Sequence, residues 1–184
     1  MLEESHKQTL LKLAAASIKY GLDHSKPLPV ELRQYPDELQ HTKACFVTLQ
    51  IHQQLRGCIG TLEAYRPLVT DVVENAFAAA FQDPRFNPVQ NNEYELLHYH
   101  ISVLNTPEPM SFSSEEDLLQ QIRPGVDGLI LEDLGRRGTF LPSVWESLHT
   151  PDEFFHHLKT KAGLSPQHWS TSLKIYRYTV EDIE

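Results

Sequence analysis

A cysteine and an arginine lie two residues apart in the segment Leu55–Thr61, which reads Leu-Arg-Gly-Cys-Ile-Gly-Thr. Alternate residues of an extended strand share a face, so this spacing predicts that Arg56 and Cys58 point the same way. A guanidinium beside a thiol stabilises the thiolate, which is the nucleophilic form of cysteine. Gly57 and Gly60 remove side-chain bulk, so that a ligand or another backbone can come close. The segment is therefore a candidate reactive or anion-binding site.

Each of these residues also has a purely structural interpretation. Cys58 is either a small buried hydrophobic residue or a nucleophile, with the glycine-flanked backbone amides as an anion nest. Cys45 has no such surroundings and is expected in the core. Arg56 needs a partner, which is either an anionic ligand or an internal carboxylate, with three candidates: Asp83, Glu63 and Asp133.

Three further groups of polar residues also have both a structural and a functional interpretation. Asp83 and Arg85 lie in an Asp-Pro-Arg-Phe segment that stops a helix, where an internal salt bridge is favoured over a place in a cleft. Arg136 and Arg137 lie in a predicted hairpin turn and are either a solvated loop tip or, if Arg56 is near, part of a cationic pocket. A third group is a pair of histidines on one strand face, His98 and His100, for which a structural or solvated role is favoured over metal binding. If Cys58 is a nucleophile, His100 is the candidate for its base.

The elements that must hold the site follow from hydrophobic spacing. The segments 44–52 and 55–61 form a predicted hairpin with Gln53 and Gln54 in its turn. Pro67 then opens the clearest helix, which stops at Asp83 because the residue before a proline is biased out of the helical conformation.

The rest of the chain mixes helices and strands without strict alternation. An amphipathic helix is predicted over 3–20 and is expected to end at Gly21. Further helices are predicted to begin at Ser113 or Ser114 and at Thr150. This pattern favours an α+β fold with mixed or antiparallel sheets packed with helices, in one compact chain. The predicted strands after residue 96 are 97–104, 126–132, one that follows Arg136-Arg137, and 173–179.

Composition excludes several classes of protein. The formal charge of −9 over 184 residues disfavours broad contact with nucleic acid or with an anionic membrane. Two cysteines are too few for a disulfide scaffold, and there is neither a signal peptide nor a transmembrane segment, so a cytoplasmic protein is expected. No P-loop, Rossmann glycine fingerprint, CxxC pair or HExxH motif occurs, so we expect no cofactor and no metal.

The segment Leu55–Thr61 resembles the hallmark heptad of the AMMECR domain family, whose prokaryotic members are called AmmeMemoRadiSam system protein A. The resemblance covers nearly the whole chain, because the other family segments follow in order. They are Arg66–Leu68, Asp83–Phe86, Ile101–Leu104, Gly125–Leu129, Arg136–Pro142, Phe154–Gly163 and Tyr176–Thr179.

The resemblance implies a single AMMECR-type α+β domain over 1–184, with two unequal lobes and the heptad lining a cleft between them. It also implies a pathway shared with Memo-type and radical-SAM proteins, although it supplies no established reaction. Carried over to this chain, the heptad puts Arg56, Gly57, Cys58, Gly60 and Thr61 in the site. Weaker candidates are Asp83, Arg85, Arg136 and Arg137, and His98 and His100 depart from the family pattern.

Two functions remain open at this point. The first is group transfer by Cys58 on a small anionic or carbonyl compound held by Arg56. The second is a non-enzymatic binding or adaptor protein, in which the heptad shapes a rigid cleft for a peptide or a partner protein. A nucleic-acid binder is disfavoured by the acidic balance.

Overall fold

Eight strands form two antiparallel four-stranded sheets, each in its own unit of the chain. The structure is a computed structural model that describes all residues from Met1 to Glu184. The first unit consists of Met1–Leu104 with Glu181–Glu184, and the second consists of Asn105–Val180. Helices accompany both sheets, which confirms the predicted α+β class. The cleft between two lobes stays a prediction.

The elements of the first unit are α1 (Glu4–His24), α2 (Asp37–Gln40), β1 (Cys45–Ile51), β2 (Gln54–Gly60), α3 (Leu68–Phe81), α4 (Asn91–Tyr94), β3 (His98–Leu104) and β8 (Val180–Ile183). The sheet of this unit has the strand order β2-β1-β3-β8, so that β2 is an edge strand. Two long helices, α1 and α3, share a core with one face of this sheet. Val47, Leu49, Ile101 and Val103 point into that core, and the residues that alternate with them point to the opposite face.

The predicted hairpin is confirmed, but its turn lies one residue earlier than expected. His52 and Gln53 occupy the turn with φ of 50° and 64°, the two positive values of a type I′ hairpin turn. The register then shifts by one residue, because Leu49 pairs with Gly57 whereas Gln50 pairs with Leu55. Arg56 is the residue left without a partner in β1, and such a bulge breaks the alternation of faces.

Gly21 does not end the first helix, so this prediction was wrong. The helix continues to His24 and ends at Ser25, whose φ of 57° is left-handed. Gly21 is buried inside the helix, where a Cβ would collide with the rings of Phe77 and Phe81 from α3. The glycine therefore serves close packing of two helices instead of helix termination.

The elements of the second unit are β4 (Glu108–Pro109), α5 (Glu115–Gln121), β5 (Gly128–Asp133), β6 (Arg136–Phe140), α6 (Pro151–Lys161) and β7 (Lys174–Tyr178). This unit has the strand order β4-β7-β5-β6. Its core includes Trp145, which stacks on Phe154 with ring centroids 4.0 Å apart. The expected caps are present, since Ser114 accepts a bond from the Asp117 amide and Thr150 accepts one from Glu153.

Two details of the later chain differ from the sequence predictions. The turn between β5 and β6 consists of Leu134 and Gly135, so Arg136 and Arg137 open a strand instead of forming the turn. The last predicted strand ends at Tyr178, and a further strand follows over Val180–Ile183 and joins the sheet of the first unit.

Candidate functional site

Cys58 lies on β2 and points away from the helices. Its neighbour Gly57 faces α3 and its neighbour Ile59 packs against the core, so the thiol is on the opposite face. The thiol is partly buried, and its Sγ accepts a hydrogen bond of 3.2 Å from Oγ1 of Thr48, its partner on β1. The Cys58 thiol is therefore not enclosed by aliphatic side chains.

Arg56 is bound to an internal acid. Nε and Nη2 donate to the two carboxylate oxygens of Glu93 at 2.8 and 3.1 Å, and Nη2 also donates to the Asn87 carbonyl. This side-on pair is the strong, bidentate form of an arginine–carboxylate contact. The partner is none of the three acids that the sequence suggested, and Arg56 is committed to the loop and helix that follow α3.

One nitrogen of Arg56 remains unsatisfied. Nη1 is buried without a hydrogen-bond partner, and the guanidinium carbon lies 5.8 Å from the centre of the Phe86 ring. The residue also borders an open depression of about 670 Å³ next to Phe86, Asn87 and Glu93. Because Nη1 is itself buried, this depression gives a ligand no direct access to it.

The backbone of Cys58 is held by a clip made of Asp83 and Arg85. The Cys58 N–H donates to Oδ2 of Asp83 at 2.9 Å, and the Cys58 carbonyl accepts from Nη2 of Arg85 at 3.4 Å. Asp83 and Arg85 also bind each other through two bonds of 3.0 and 2.7 Å. The clip supplies hydrogen-bond partners to backbone groups that lack them in an edge strand. Because the Cys58 amide donates to Asp83, it is not available to an oxyanion nest.

Electrostatics reinforce the clip. The Arg85 hydrogen bonds hold the pKa of the buried Asp83 carboxyl below its usual range, with the Cys58 amide adding to the effect. The pKa of Arg85 is raised, mainly by its bonds to Asp83 and to a smaller extent by the nearby Cys58 side chain. The Arg85 side chain is 54% exposed, and none of its bonds uses Nη1. Arg85, rather than Arg56, is therefore the available guanidinium beside Cys58.

The two glycines of the heptad serve packing. A Cβ at Gly57 would collide with the backbone carbonyl of Ala79 in α3, so here another backbone makes the close approach. A Cβ at Gly60 would collide with the ring of Phe46. Both positions thus require glycine for internal reasons.

Thr61 closes the heptad with a structural contact. Its hydroxyl lies 3.0 and 2.9 Å from the two carboxylate oxygens of the buried Asp71. Asp71 also accepts bonds from the Cys45 amide and from Arg66. Cys45 is fully buried, as expected, and burial raises the pKa of its thiol well above the usual value.

His100 lies on β3, on the same sheet face as Cys58, and β1 lies between their two strands. Thr48 pairs with Cys58 on one side and with His100 on the other, so the backbones of Cys58 and His100 are two strand spacings apart, about 10 Å. Nε2 of His100 lies 2.9 Å from Asp182 and Nδ1 lies 2.9 Å from Glu184. Asp182 and then Glu184 raise the pKa of His100. The histidine is thus tied to acids of the β8 segment and is too distant to take a proton directly from Cys58.

The remaining candidates belong to the other unit of the chain. Arg136 donates from Nη1 to the Gly163 carbonyl at 2.6 Å, and Arg137 pairs with Glu132 at 3.2 Å. Both belong to the second unit, whereas Arg56 and Cys58 belong to the first. No group of three or more His, Cys, Asp and Glu side chains is placed to hold a metal ion. None of the helices has the length and apolar character needed to cross a membrane.

Sequence reasoning missed three residues that shape this region. Thr48 has a weak signal, because it is a polar residue between the core-facing Val47 and Leu49. Glu93 has a clearer one, since it forms a capping box with Gln90 at the start of α4. Asp182 has none, because β8 is only four residues long.

The chain has relatives over almost its entire length. A protein from Methanothermobacter thermautotrophicus is 37% identical over 188 residues, covering 98% of this chain and 94% of that protein. A protein from Thermotoga maritima is 41% identical over 149 residues, covering 79% of this chain and 80% of that protein.

A solved structure has the same fold. The crystal structure of the uncharacterized protein PH0010 from Pyrococcus horikoshii aligns with a TM-score of 0.90 at 33% identity. The alignment covers 98% of this chain and 92% of that one. The family model described as AMMECR1 matches residues 11–183, and the chain therefore belongs to the AMMECR1 family.

Proposed function

We propose that this AMMECR1-family protein binds a small anionic or carbonyl compound beside Leu55–Thr61, with Cys58 as the nucleophile of a group transfer. The observation that carries the proposal is the position of the thiol. It is partly buried but not sealed, Thr48 donates a hydrogen bond to the sulfur, and the exposed Arg85 guanidinium is attached to the same residue's carbonyl. Hydroxyl and guanidinium donors of this kind suit the binding of an anionic substrate next to the sulfur.

The chemistry requires few groups. The thiol proton leaves to solvent, and the thiolate attacks the carbonyl carbon to form a carbon–sulfur bond. The leaving group departs with the electron pair of its bond to carbon and takes up a proton from water. A second nucleophile then attacks the thioester, accepts the acyl group and releases the thiol. Arg85 holds the anionic end of the substrate, and no base contacts the thiol.

Arg56 has a positioning role in this proposal. Its bidentate bond to Glu93 joins the bulge of β2 to α4, which keeps the chain around Cys58 rigid. The pathway with Memo-type and radical-SAM proteins belongs to the same proposal and rests on the family resemblance.

A non-enzymatic adaptor is the second candidate. The observation that favours it is that three heptad residues form hydrogen bonds to internal carboxylates. Cys58 is bound to Asp83, Arg56 to Glu93 and Thr61 to Asp71. A rigid surface of this kind suits recognition of a peptide or a partner protein. In that case the thiol is inert.

Acyl transfer to the protein distinguishes the two functions. The full chain is incubated with mono-p-nitrophenyl succinate, an anionic activated ester, and digested for mass spectrometry. The group-transfer proposal expects a succinyl adduct on Cys58 in the wild type and none in Cys58→Ser. A thiol that stays unmodified while p-nitrophenol release equals the buffer rate would leave only the adaptor.

A further inference from the structure

A second depression lies on the first unit, at the end of the sheet where the hairpin turn and β3 begin. Its volume is about 600 Å³. Apolar surface comes from Leu11, Leu97 and Tyr99, and polar groups come mainly from three histidines. A concave site with apolar walls and a few polar groups is typical of small-molecule binding. The histidines are His52, His98 and His100, and Glu184 completes the rim.

Glu184 already places a carboxylate in this depression. Its Oε1 lies 2.9 Å from Nδ1 of His100, and this is the one hydrogen bond that the side chain makes. The Glu184 side chain is 79% exposed, so solvent screens the contact and the bond is weak. A carboxylate at this position is therefore well oriented but loosely held.

His100 is fixed from its other side. Nε2 lies 2.9 Å from Oδ1 of Asp182, and the Ser102 hydroxyl donates to the same oxygen at 2.7 Å. Because ionised carboxylates only accept hydrogen bonds, both contacts form together when the ring is protonated and donates from both nitrogens. Asp182 thus orients a ring whose Nδ1 contacts Glu184, and His100 and Glu184 both line the depression.

We propose that the depression binds a small organic acid with an apolar body, whose carboxylate replaces that of Glu184 on Nδ1 of His100. The body of the ligand packs on Leu11, Leu97 and Tyr99, and Asp182 is a positioning residue for the imidazolium. Displacing Glu184 exposes no apolar surface, because that side chain is already largely in solvent. Burial of the ligand's apolar body then supplies the net gain.

Benzoate is a suitable probe, and benzamide is its neutral control of the same shape. Both are titrated into the full chain while backbone amide resonances are followed by NMR. Benzoate should shift the resonances of residues 97–100 in a saturable manner, and benzamide should bind at least several-fold more weakly. Glu184→Gln removes the competing carboxylate and should tighten benzoate binding by about two- to five-fold, the range of an exposed ion pair.

Two results would overturn the proposal. One is benzoate binding that is unchanged in Glu184→Gln, and the other is a shift pattern away from residues 97–100. His100→Gln should abolish the saturable shifts, and its own spectrum shows whether β8 remains in place. Glu184→Gln alters only an exposed side chain, so the test does not depend on the stability of the His100 variant. Cys58→Ser should bind benzoate normally, which separates this site from the group-transfer site.

Discussion

The carboxylate of Asp83 accepts a hydrogen bond from the backbone amide of Cys58 at 2.9 Å, across 25 residues of sequence. This bond attaches the end of α3 to the edge of the first sheet. It also fixes the backbone of the residue that carries the candidate nucleophile. Stability and the geometry of the site therefore depend on the same side chain.

Asp83→Ala should lower the free energy of unfolding by about 2–3 kcal/mol, because it removes charge-assisted bonds to the Cys58 amide and to Arg85. Urea denaturation measures the loss. Asp23→Ala is the matched control, since Asp23 is about half exposed and pairs only with Lys19. Its effect should stay within about 0.5 kcal/mol. Equal losses in the two variants would show that the clip contributes no more than a surface ion pair.

Gly57→Ala should destabilise the protein by about 3 kcal/mol, because the added methyl overlaps the backbone carbonyl of Ala79. Relieving the overlap requires a backbone shift of β2 or α3. Gly135→Ala is the comparison. Gly135 has open space around it and a φ of 71°, so its replacement should cost only about 1 kcal/mol of backbone strain. Thermal unfolding followed by circular dichroism ranks the two variants, and the reverse order would contradict the close packing of β2 on α3.

The pair of His100 and Asp182 should make stability depend on pH in a defined window. The pKa of His100 is raised in the folded protein, so its contribution is complete below about pH 6.5 and is lost as the pH rises through the native value. The pKa of Asp182 is lowered, so its contribution is complete above about pH 4 and is lost as the pH falls through the native value.

Melting temperatures of the wild type and His100→Gln, measured from pH 4 to pH 9, test this window. The groups that face the imidazole are Asp182, Glu184 and the Ser102 hydroxyl. The difference between the two proteins should be largest near pH 5–6 and should shrink above neutrality. A difference that stays constant over the whole range would mean that packing, not charge, links β8 to β3.

The two cysteines should differ in accessibility. Cys45 is fully buried and its pKa is raised, whereas Cys58 is partly exposed. Ellman's reagent should therefore modify one thiol in the native protein and two after denaturation. Cys58→Ser should remove the fast reaction and Cys45→Ser should keep it. Two thiols reacting at one rate in the native protein would contradict the described burial of Cys45.

Local signals predicted much of the fold. The hairpin of β1 and β2, the helix over Leu68–Phe81 and the caps at Ser114 and Thr150 depend on periodicity and on contacts within a few residues. Gly21 shows the limit of such signals. A glycine near the end of an amphipathic pattern is typical of a helix stop. Gly21 is instead required because a larger side chain would collide with the rings of Phe77 and Phe81 from another helix.

The sequence predicted where the candidate site lies in the chain but not which residues bind Arg56 and Cys58. Strict alternation placed Arg56 beside Cys58, and a one-residue bulge at Arg56 breaks that alternation. Its actual partner, Glu93, lies 37 residues away. Asp83 and Arg85 were correctly expected to form an internal salt bridge. Their attachment to the Cys58 backbone depends on tertiary packing, which no local pattern reports.

The selectivity of Cys58 between two alkylating agents tests the central claim most directly. Iodoacetate is an anion and iodoacetamide is neutral. The rate of Cys58 alkylation by iodoacetate divided by the rate by iodoacetamide therefore reports a cation that guides an anionic electrophile to the thiol. Arg85→Gln should lower this ratio by up to about five-fold, the effect of one exposed charge pair. Arg56→Gln should leave it within about two-fold, because the Arg56 side chain is largely buried against Glu93 and Asn87. A ratio that is unchanged in Arg85→Gln would contradict an anion-guiding role for Arg85 and, with it, the proposed substrate class.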